Sequence, residues 1–497
     1  MNHPGTPGAH VLAIDIGASS GRAILGHWDG ARITLEEVHR FTNDPVQVGD
    51  TLYWDVLRLW HEVQQGIRLA GLRAPIEAIG IDTWGVDFGL LDAGGALLEN
   101  PVHYRDARTI GVPEQVYQAC SPEELYRRTG LHALRLNTLY QLRALDRDRP
   151  WALREADTLL CMPDLFAYLL TGARACEHTI ASTTQLLRAD APVWDEELMR
   201  RVGLPPRVFA PILMPGQRYG TVRAALAALL GIGEVPVVAI ATHDTASAVA
   251  AVPHPEGPVL YLSCGTWSLM GTKRDAPCLT KQAHAYNLAN EAGVGHTMLL
   301  RNIMGLWLVQ ESRRWWQRGG ESISFPLLEQ EAAQAEPLCA FVQPDDPSFE
   351  APGDMPARVQ AYCAEHGQPV PATRGALVRC MYESLALQYR LTCAHIEAIT
   401  GEQYPALHVV GGGSQSAMLC QMTADALNRP VVAGPVEATA LGNVLVQLTG
   451  LGVLADAPAA RHALLASVQT HTYLPCAAQA AAFDAAYPKF LAVTGQG

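Results

Sequence analysis

Apolar runs that end in small or acidic residues recur along the chain, and the central one spans residues 236–249. Its apolar part predicts a buried strand over Val237 to Ala241, and the small residues that follow predict a closely packed helix. Between them lies Thr242-His243-Asp244. Ligands of open α/β sheets bind beyond the carboxyl ends of strands, so Asp244 is a candidate catalytic residue. The alternative is an aspartate that only caps the helix.

A strand, turn and returning strand are predicted near the start of the chain, at 11–28. The turn, Asp15-Ile16-Gly17-Ala18-Ser19-Ser20-Gly21-Arg22, holds two glycines and two serines, so its backbone N–H groups can bind an anion. Asp15 ends the strand, where it can approach a metal ion near a phosphate. An ordinary hairpin with a flexible tip is the alternative.

A similar hairpin is predicted at 259–271, with Cys264-Gly265-Thr266 as its turn, just after the Pro- and Gly-rich segment 252–258. The shared pattern predicts two related domains with their boundary at that segment. The predicted ranges are a disordered tail at 1–10, an N-terminal domain at 11–252, a C-terminal domain at 258–455 and a helical closing segment at 456–497.

Two further patterns carry candidate ligand contacts. At 76–89 a strand leads into Asp82, Trp84, Gly85 and Asp87, a combination that suits a sugar, because an indole stacks on the ring and carboxylates bind hydroxyls. Two solvated acids after a strand are the alternative. At 407–416 a strand runs into three consecutive glycines, which let a flat purine or ribose lie close to the backbone.

The remaining pattern is mostly helical. Asp164 falls in the first turn of a predicted helix, where an acid favours the helix dipole. Further predictions are a helix at 51–75 with a core stripe of Trp54, Leu57, Trp60, Val63 and Ile67, helices at 161–171 and 376–399, a helix opening at 302–310, a small-residue helix from 436, an irregular excursion at 341–368 and terminal helices.

Composition narrows the class of protein. A chain of 497 residues, 49% of them hydrophobic, has material for two large cores, and a net charge of -13 argues against a nucleic-acid binder. The uncharged stretches at 403–424 and 438–455 are interrupted by polar residues and are interpreted as soluble core, so a cytoplasmic protein with no membrane contact is expected. The eleven cysteines form no zinc pattern; Cys363 and Cys380 flank one loop and either pair or stay free.

These patterns together supply the parts of a sugar phosphotransferase. The parts are two anion-holding turns, one acid at a strand end, and the three glycines Gly411 to Gly413, called the glycine shelf below. The turns would hold a triphosphate, the shelf a nucleoside, and the acid would take the proton of the attacking hydroxyl.

The sequence also resembles the FGGY family of carbohydrate kinases, and the resemblance covers nearly its whole length. The resemblance implies an α/β fold of two actin-like (ribonuclease-H-like) domains, with ATP and sugar in a cleft between them. Within the family it implies transfer of the γ-phosphate of ATP to the 1-hydroxyl of L-rhamnulose, with Mg²⁺. The motifs that carry it are Asp15 to Arg22, Gly80 to Asp87, Thr242 to Val249, Gly265 to Leu269, Asn302 to Trp307, Pro344 to Pro347 and Gly434 to Ala438.

The resemblance also implies roles for single residues. Asp244 matches the catalytic base and, with its neighbours, a sugar-binding position; Asp15 matches an acid near the metal. The other matched positions are Gly85, His243, Thr245 and Asn302 for the sugar, and Ala18, Ser19, Ser20, Gly21, Arg22, Thr266, Gln310 and Gly412 for ATP. The chain departs from the subgroup pattern at Cys264, Ser414 and Ala292, and the last departure puts the local turn at 290–293 in doubt.

Two other functions stay open at this point. One is a kinase for another ketose, such as L-fuculose or xylulose, since hydroxyl stereochemistry cannot be read from the motifs. The other is a non-catalytic sugar sensor or an actin-like ATP-binding scaffold. The expected partners are a small-molecule sugar and ATP, with no nucleic acid, and the expected state is a monomer or homodimer.

Overall fold

The computed structural model describes residues 8–254, 257–320 and 322–495. They form two compact units that share the chain unevenly. The first unit comprises Met1–Pro253, Arg274–Leu299 and Ala438–Val468, and the second His254–Lys273, Leu300–Glu437 and Gln469–Gly497. Each unit therefore takes segments from both sides of 252–258, whereas the predicted ranges are continuous.

The strands are numbered in chain order. They are β1 Ala9–Ile16, β2 Ser20–Trp28, β3 Ile33–Thr42, β4 Val46–Val48, β5 Thr51–Tyr53, β6 Ala78–Thr83, β7 Phe88–Leu91, β8 Thr158–Cys161, β9 Cys176–Glu177, β10 Ile212–Leu213, β11 Arg218–Thr221, β12 Pro236–Val238, β13 Leu260–Cys264, β14 Trp267–Arg274, β15 Ala289–Ala292, β16 Thr297–Met304, β17 Leu407–Val410, β18 Val431–Ala433 and β19 His471–Tyr473.

The α-helices are numbered in the same way. They are α1 Val56–Gly71, α2 Val112–Tyr117, α3 Pro122–Thr129, α4 Thr138–Asp148, α5 Pro150–Glu155, α6 Met162–Thr171, α7 His178–Ser182, α8 Glu196–Arg201, α9 Ala224–Leu230, α10 Asp244–Ala250, α11 Lys281–Ala285, α12 Trp307–Arg318, α13 Phe325–Gln334, α14 Met355–Glu365, α15 Arg374–Thr400, α16 Ala417–Leu427, α17 Ala438–Gly450, α18 Ala457–Ser467 and α19 Ala477–Thr494.

The first unit is built on a mixed sheet with the strand order β11-β12-β6-β1-β2-β3. Strands β12, β6 and β1 run parallel, and β1, β2 and β3 form an antiparallel meander. Nearly every residue of β1 and β6 is buried, as expected for central strands covered on both faces. Strands β1 and β6 end together, at Ile16 and Thr83, whereas β12 ends earlier, at Val238, which lies level with Gly80.

The predicted tail at 1–10 is wrong at its end. Strand β1 begins at Ala9, because Ala9 and His10 pair with Trp28 and His27 across the hairpin. The two histidine rings stack with their centroids 4.5 Å apart. Residues 1–7 lie outside the described part of the chain.

Helix α1 confirms the helical pattern at 51–75 only in part. Asp55 caps it by accepting a hydrogen bond from Arg58 N, and Leu59, Val63 and Ile67 face the core. Leu57, predicted to join that stripe, is 69% exposed. Two residues before Leu59 on a helix of 3.6 residues per turn, it points about 200° away from the buried face.

Helices α10 and α17 pack closely within the first unit, as their small residues predicted. A Cβ on Gly442 of α17 would lie 1.8 Å from the backbone oxygen of Ser247 in α10. Only glycine permits this approach, and it brings the polar side chains of α17 against the strands.

The second unit repeats the sheet plan in the order β16-β14-β13-β17-β18-β19. Strands β13 and β14 form the predicted antiparallel hairpin, and β13, β17 and β18 run parallel. Asn302, predicted to open a helix, instead lies in β16, and helix α12 begins only at Trp307, after Gly305. A Cβ on Gly305 would lie 2.4 Å from Ser268 Oγ, so a tight turn separates strand and helix.

Two more predictions for the second unit are corrected. The segment 341–368 contains helix α14, capped by Asp354, which accepts from Ala357 N. The terminal segment contains a strand, β19, which pairs antiparallel with β18. Strand β19 depends on pairing with a distant part of the chain, whereas the Asp354 cap and the proline in the first turn of α14 are local signals of a helix start.

The thiols and the apolar helices complete the description. All eleven cysteines are free, so Cys363 and Cys380 form no disulfide here. Within the described residues, no helix combines the length and apolar character needed to cross a membrane.

Candidate active site

Asp244 lies where the extended chain after β12 turns into α10. Thr83 N donates to the backbone oxygen of Thr242 at 2.9 Å, so the chain continues alongside β6 beyond the last strand residue. Asp244 is the first residue of α10. Its Oδ1 accepts hydrogen bonds from Thr245 N at 2.5 Å and from Thr245 Oγ1 at 3.2 Å. Both bonds use one oxygen, and Oδ2 therefore remains available to a ligand.

The surroundings of the Asp244 carboxyl group bring its pKa close to neutral pH. Its side chain is 32% exposed. Burial of the carboxyl group, followed by the negative charge of Asp15, raises its pKa to about 7. A carboxyl group with this pKa exchanges protons near neutral pH, as a general base requires.

Asp15 and Arg22 face each other across the β1–β2 hairpin. Arg22 Nη2 donates to Asp15 Oδ2 at 2.7 Å. The turn between them is closed by Gly17 N, which donates to the backbone oxygen of Ser20 at 2.9 Å. Gly21 is required there, because a Cβ would lie 2.2 Å from the ring of Phe41. The turn therefore presents small residues and one guanidinium group.

Asp82 lies beside Asp15 on the neighbouring parallel strand and is fully buried. Asn443 Nδ2 of α17 donates to its Oδ2 at 2.5 Å, and Gln447 Nε2 in turn donates to Asn443 Oδ1 at 2.7 Å. Burial and the nearby charge of Asp15 raise the pKa of Asp82 well above its usual range. Asp82 is thus neither the solvated acid nor the exposed sugar contact considered from the sequence.

Asp87 is also buried, and its acceptors are used by the protein. Trp54 Nε1, Trp84 Nε1 and Tyr104 N donate to Oδ2 at 2.6, 2.9 and 3.2 Å, and Gln141 Nε2 donates to Oδ1 at 2.8 Å. Burial raises its pKa to about 6, although these bonds oppose the shift. Asp87 therefore orients two indoles instead of offering its oxygens to a sugar.

The loop with Gly85 is fixed by hydroxyl groups. Val86 adopts a φ of 69°, which is rare for a β-branched residue. Its N–H donates to Thr183 Oγ1 at 3.1 Å, and its oxygen accepts from Thr138 Oγ1 at 2.6 Å. A Cβ on Gly85 would lie 3.1 Å from Thr183 Oγ1, so this backbone lies close to α7. Strained backbone held in this way is typical of functional loops.

His243 lies between two carboxylates. Its Nε2 is 3.5 Å from Asp244 Oδ1 and its Nδ1 is 3.4 Å from Glu291 Oε2. Burial lowers its pKa, with Glu291 acting in the opposite direction, so the neutral imidazole is favoured. Glu291 belongs to the Asn290-Glu291-Ala292-Gly293 segment; Ala292 is buried there, and its N–H donates to Ser182 Oγ at 2.9 Å.

The second unit holds the other predicted residues. Thr266, in the β13–β14 turn, donates from Oγ1 to Gln310 Oε1 of α12 at 3.1 Å. Asn302 is half-buried in β16, near the point where Asp345 Oδ1 accepts from Met304 N at 2.7 Å. Thr266 and Gln310 are therefore brought together, and Asp345 of the Pro344-Asp345-Asp346-Pro347 motif supports the end of the strand with Asn302.

The three glycines after β17 differ in their surroundings. Gly411 has a φ of 84° and lies against the backbone oxygen of Cys264, while a Cβ on Gly413 would lie 2.2 Å from Cys264 Sγ. Gly412 is exposed, and a Cβ there would have no neighbour within 4 Å. The two outer glycines are thus needed for packing, and the middle one borders open space.

The first unit brings Asp15, Arg22, His243, Asp244 and Thr245 into one region, with Gly85 on an adjoining loop. Two contributors were missed. Asn443 lies in the small-residue helix predicted from residue 436, and the polar pair Asn443 and Gln447, four residues apart on an apolar helix, is a sequence signal for a buried network. Glu177, which binds the chain next to His243, carries no motif that could have revealed it.

Comparison with known proteins places this geometry in context. Residues 10–251 match the N-terminal domain of the FGGY family of carbohydrate kinases, and residues 260–451 match its C-terminal domain. The chain is 44% identical over 483 residues to a rhamnulokinase of Bacteroides thetaiotaomicron, covering 97% of this chain and 98% of that protein. It is 40% identical over 466 residues to a rhamnulokinase of Oceanobacillus iheyensis, covering 93% and 97%.

Solved structures resemble it at lower identity. A ligand-bound xylulose kinase from Lactobacillus acidophilus superposes with a TM-score of 0.79 at 16% identity, covering 98% of this chain and 97% of that one. Plasmodium falciparum glycerol kinase with ADP gives a TM-score of 0.77 at 14% identity, covering 98% of both chains. These likenesses confirm the predicted two-domain α/β fold.

Proposed function

The chain belongs to the FGGY family of carbohydrate kinases, and we propose that it transfers the γ-phosphate of ATP to the 1-hydroxyl of L-rhamnulose, giving L-rhamnulose 1-phosphate and ADP. The observation that carries this proposal is Asp244, a partly exposed carboxyl group with a pKa of about 7 and one oxygen free of protein donors. The choice of sugar is supported by curated relatives named rhamnulokinase that are 40–44% identical over more than nine-tenths of the chain.

In the proposed reaction Asp244 accepts the proton of the 1-hydroxyl while that oxygen forms a bond to the γ-phosphorus. The bond from this phosphorus to the oxygen it shares with the β-phosphate breaks, and ADP leaves with the electron pair. Such transfers depend mainly on positioning and electrostatics. His243, Thr245, Gly85 and Asn302 are proposed to hold the sugar, as the family motifs suggest.

The nucleotide is proposed to contact the two hairpin turns and the glycine shelf. Ala18 to Arg22 would bind phosphate through backbone N–H groups and the guanidinium of Arg22. In the second unit, Thr266 and Gln310 lie within hydrogen-bonding distance of each other. Gly412 borders open space, which suits the close approach of a nucleoside.

A magnesium ion fits the donor set at the first hairpin. Asp15 offers carboxylate oxygen, the ligand type that Mg²⁺ prefers, and its negative charge, after burial, raises the pKa values of the nearby Asp82 and Asp244. Asp15 would hold the ion, which would supply charge neutralisation for the phosphates.

The predicted cytoplasmic location and the monomer or homodimer state stay predictions.

The test is ATP-dependent phosphorylation of a ketose panel of L-rhamnulose, L-fuculose and D-xylulose, followed by ADP release and by identification of the phosphorylated carbon. L-Rhamnulose is expected to give the highest kcat/KM and a 1-phosphate product. A higher kcat/KM for another ketose would overturn the choice of sugar. ADP release that no ketose stimulates would overturn the kinase assignment itself.

A further inference from the structure

Glu177 is a fully buried carboxylate outside the proposed reaction and yet is in contact with the segment that carries the base. It ends the short strand β9 and caps α7. Its backbone N–H donates to Asp164 Oδ1 at 2.9 Å, and Asp164 Oδ1 also accepts from Tyr219 OH at 2.5 Å. The backbone of Glu177 is therefore fixed by a second buried acid, Asp164.

Five donors converge on the Glu177 carboxylate. Three come from the first turn of α7: Thr179 N at 2.9 Å, Thr179 Oγ1 at 2.6 Å and Ile180 N at 3.2 Å. Two come from the chain just before the base: Thr242 N at 3.1 Å and Thr242 Oγ1 at 2.7 Å. An ionised carboxylate is the side chain that satisfies donors on both oxygens, because it is an acceptor only.

The chain before Asp244 needs this support because its neighbouring strand ends too early. Strand β11 pairs with β12 only as far as Val238, and Ala239 N then donates to Gln217 O. Beyond that point β6 remains on one side, through the bond from Thr83 N to Thr242 O. The amides of this segment are met by side chains: Glu177 accepts from Thr242 N, and Thr179 Oγ1 accepts from His243 N at 3.2 Å.

The same short helix holds two further loops of the candidate active site. Thr183, directly after α7, accepts from Val86 N next to Gly85, and Ser182 Oγ accepts from Ala292 N next to Glu291. Glu177 thus anchors one end of a segment that contacts three site loops. Removing its charge acts first on the loop of Thr242 and His243, because that is where its side chain binds.

We propose that Glu177 is a positioning residue for the kinase reaction: its ionised carboxylate takes the place of a neighbouring strand and fixes the backbone of Thr242 and His243, and thereby the direction of the Asp244 carboxyl group. This inference rests on the proposed function. Small displacements of a reacting group cost large factors in rate, since about 1 Å is worth roughly 100-fold.

The test compares Glu177→Gln with Asp195→Asn, a matched control. Asp195 is likewise a buried cap, accepting from Leu198 N at the start of α8, and it also forms an ion pair with Arg128; neither partner belongs to the candidate active site. Glu177→Gln is expected to lower kcat about 10–100-fold with L-rhamnulose and ATP, to leave the KM for ATP within about threefold, and to shift the acid limb of the pH profile. Asp195→Asn is expected to keep the parent kcat and pH profile at a comparable loss of thermal stability.

Hydrogen exchange adds a readout that does not depend on turnover. The amides of Thr242 and His243 are expected to exchange at least about tenfold faster in Glu177→Gln than in the parent, and at the parent rate in Asp195→Asn. A kcat within twofold of the parent together with unchanged exchange in Glu177→Gln would overturn the inference. A parent protein without ketose kinase activity would overturn the proposed function instead, while the exchange result would still decide whether Glu177 fixes this backbone.

Thr242→Val serves if the Glu177 variant does not fold. It removes one bond to Glu177 and preserves both the carboxylate and the side-chain shape. A kcat lowered about 3–10-fold, with the acid limb shifted, is expected; parent values would contradict the proposal.

Discussion

The two units share one sheet plan and place different chemistry at the strand ends. In the first unit, the hairpin strands carry Asp15 opposite Arg22 near the turn; in the second, Cys264 lies opposite Ser268. An ion pair at 2.7 Å in one hairpin thus has a small, neutral counterpart, with Cys264 Sγ 3.7 Å from Ser268 Oγ, in the other. The sheet topology therefore does not require charged residues at these hairpin positions, and the ion pair of the first unit needs a functional explanation.

The next parallel strands repeat this contrast. Strand β6 reaches Asp82 near its end, whereas β17 is followed by Gly411, Gly412 and Gly413. The same sheet topology therefore carries acids at the strand ends of the first unit, where we propose proton transfer and metal binding. In the second unit it carries exposed glycine backbone, where we propose nucleoside binding. Variants of Asp15 or Asp244 in the first unit should change kcat, and variants of Thr266 or Gly412 in the second should change ATP affinity.

The largest expected effect is that of Asp244→Asn against Thr266→Val. Loss of the base should lower kcat by about 10²–10⁴-fold with the KM for ATP nearly unchanged. Loss of the Thr266 hydroxyl should raise the KM for ATP with a smaller change in kcat. Steady-state kinetics with L-rhamnulose and ATP measure both, and an equal pattern in the two variants would remove the proposed division between units.

The pH dependence should give the next largest effect. Because the base must be ionised, kcat/KM should rise about tenfold per pH unit below its pKa of about 7 and level off above it. The sign for stability is opposite: with a pKa raised from 3.8, ionisation opposes folding, so the free energy of unfolding declines between about pH 4 and pH 7. Asp244→Asn should make that decline shallower in urea titrations, with Asp82 and Asp87 supplying the remainder, whereas the exposed cap variant Asp456→Asn should retain the parent slope.

The glycine shelf allows a matched pair. Gly413→Ala should cost about 1–3 kcal/mol of unfolding free energy, since its Cβ would clash with Cys264. Gly412→Ala should leave stability unchanged, having no neighbour within 4 Å, and should raise the KM for ATP several-fold if a nucleoside lies there. Thermal unfolding and ATP kinetics separate the two, and unchanged ATP kinetics in Gly412→Ala would contradict the shelf.

Asp87→Asn should have the smallest effect on turnover of these variants. An amide replaces one of the two accepting oxygens by an NH₂ group, which then faces a protein donor. This should lower the free energy of unfolding, measured by urea titration, by about 1–3 kcal/mol. Asp92→Asn is the control; Asp92 is partly exposed in the turn after β7, where its Oδ1 accepts from Ala96 N. A kcat loss as large as that of Asp244→Asn would mean that Asp87 acts on the substrate directly.

These contrasts also show how far the sequence could be read. The places of Asp15 and Asp244 at strand ends and of Gly412 in a glycine turn could be predicted, because these are local patterns, while the roles of the three residues stay proposals. Glu177 could not, since its five donors come from segments about 65 residues apart that meet only in the fold. Asn302 was placed on the wrong element because the tight turn at Gly305 is set by contact with Ser268, not by the local apolar period.

The most direct test of the central claim is a single-turnover measurement on Asp244→Asn protein saturated with L-rhamnulose and ATP, with both dissociation constants measured by calorimetry. We expect dissociation constants within about threefold of the parent and transfer of the γ-phosphate at least about 100-fold slower. Transfer at the parental rate in that ternary complex would show that Asp244 is not the base.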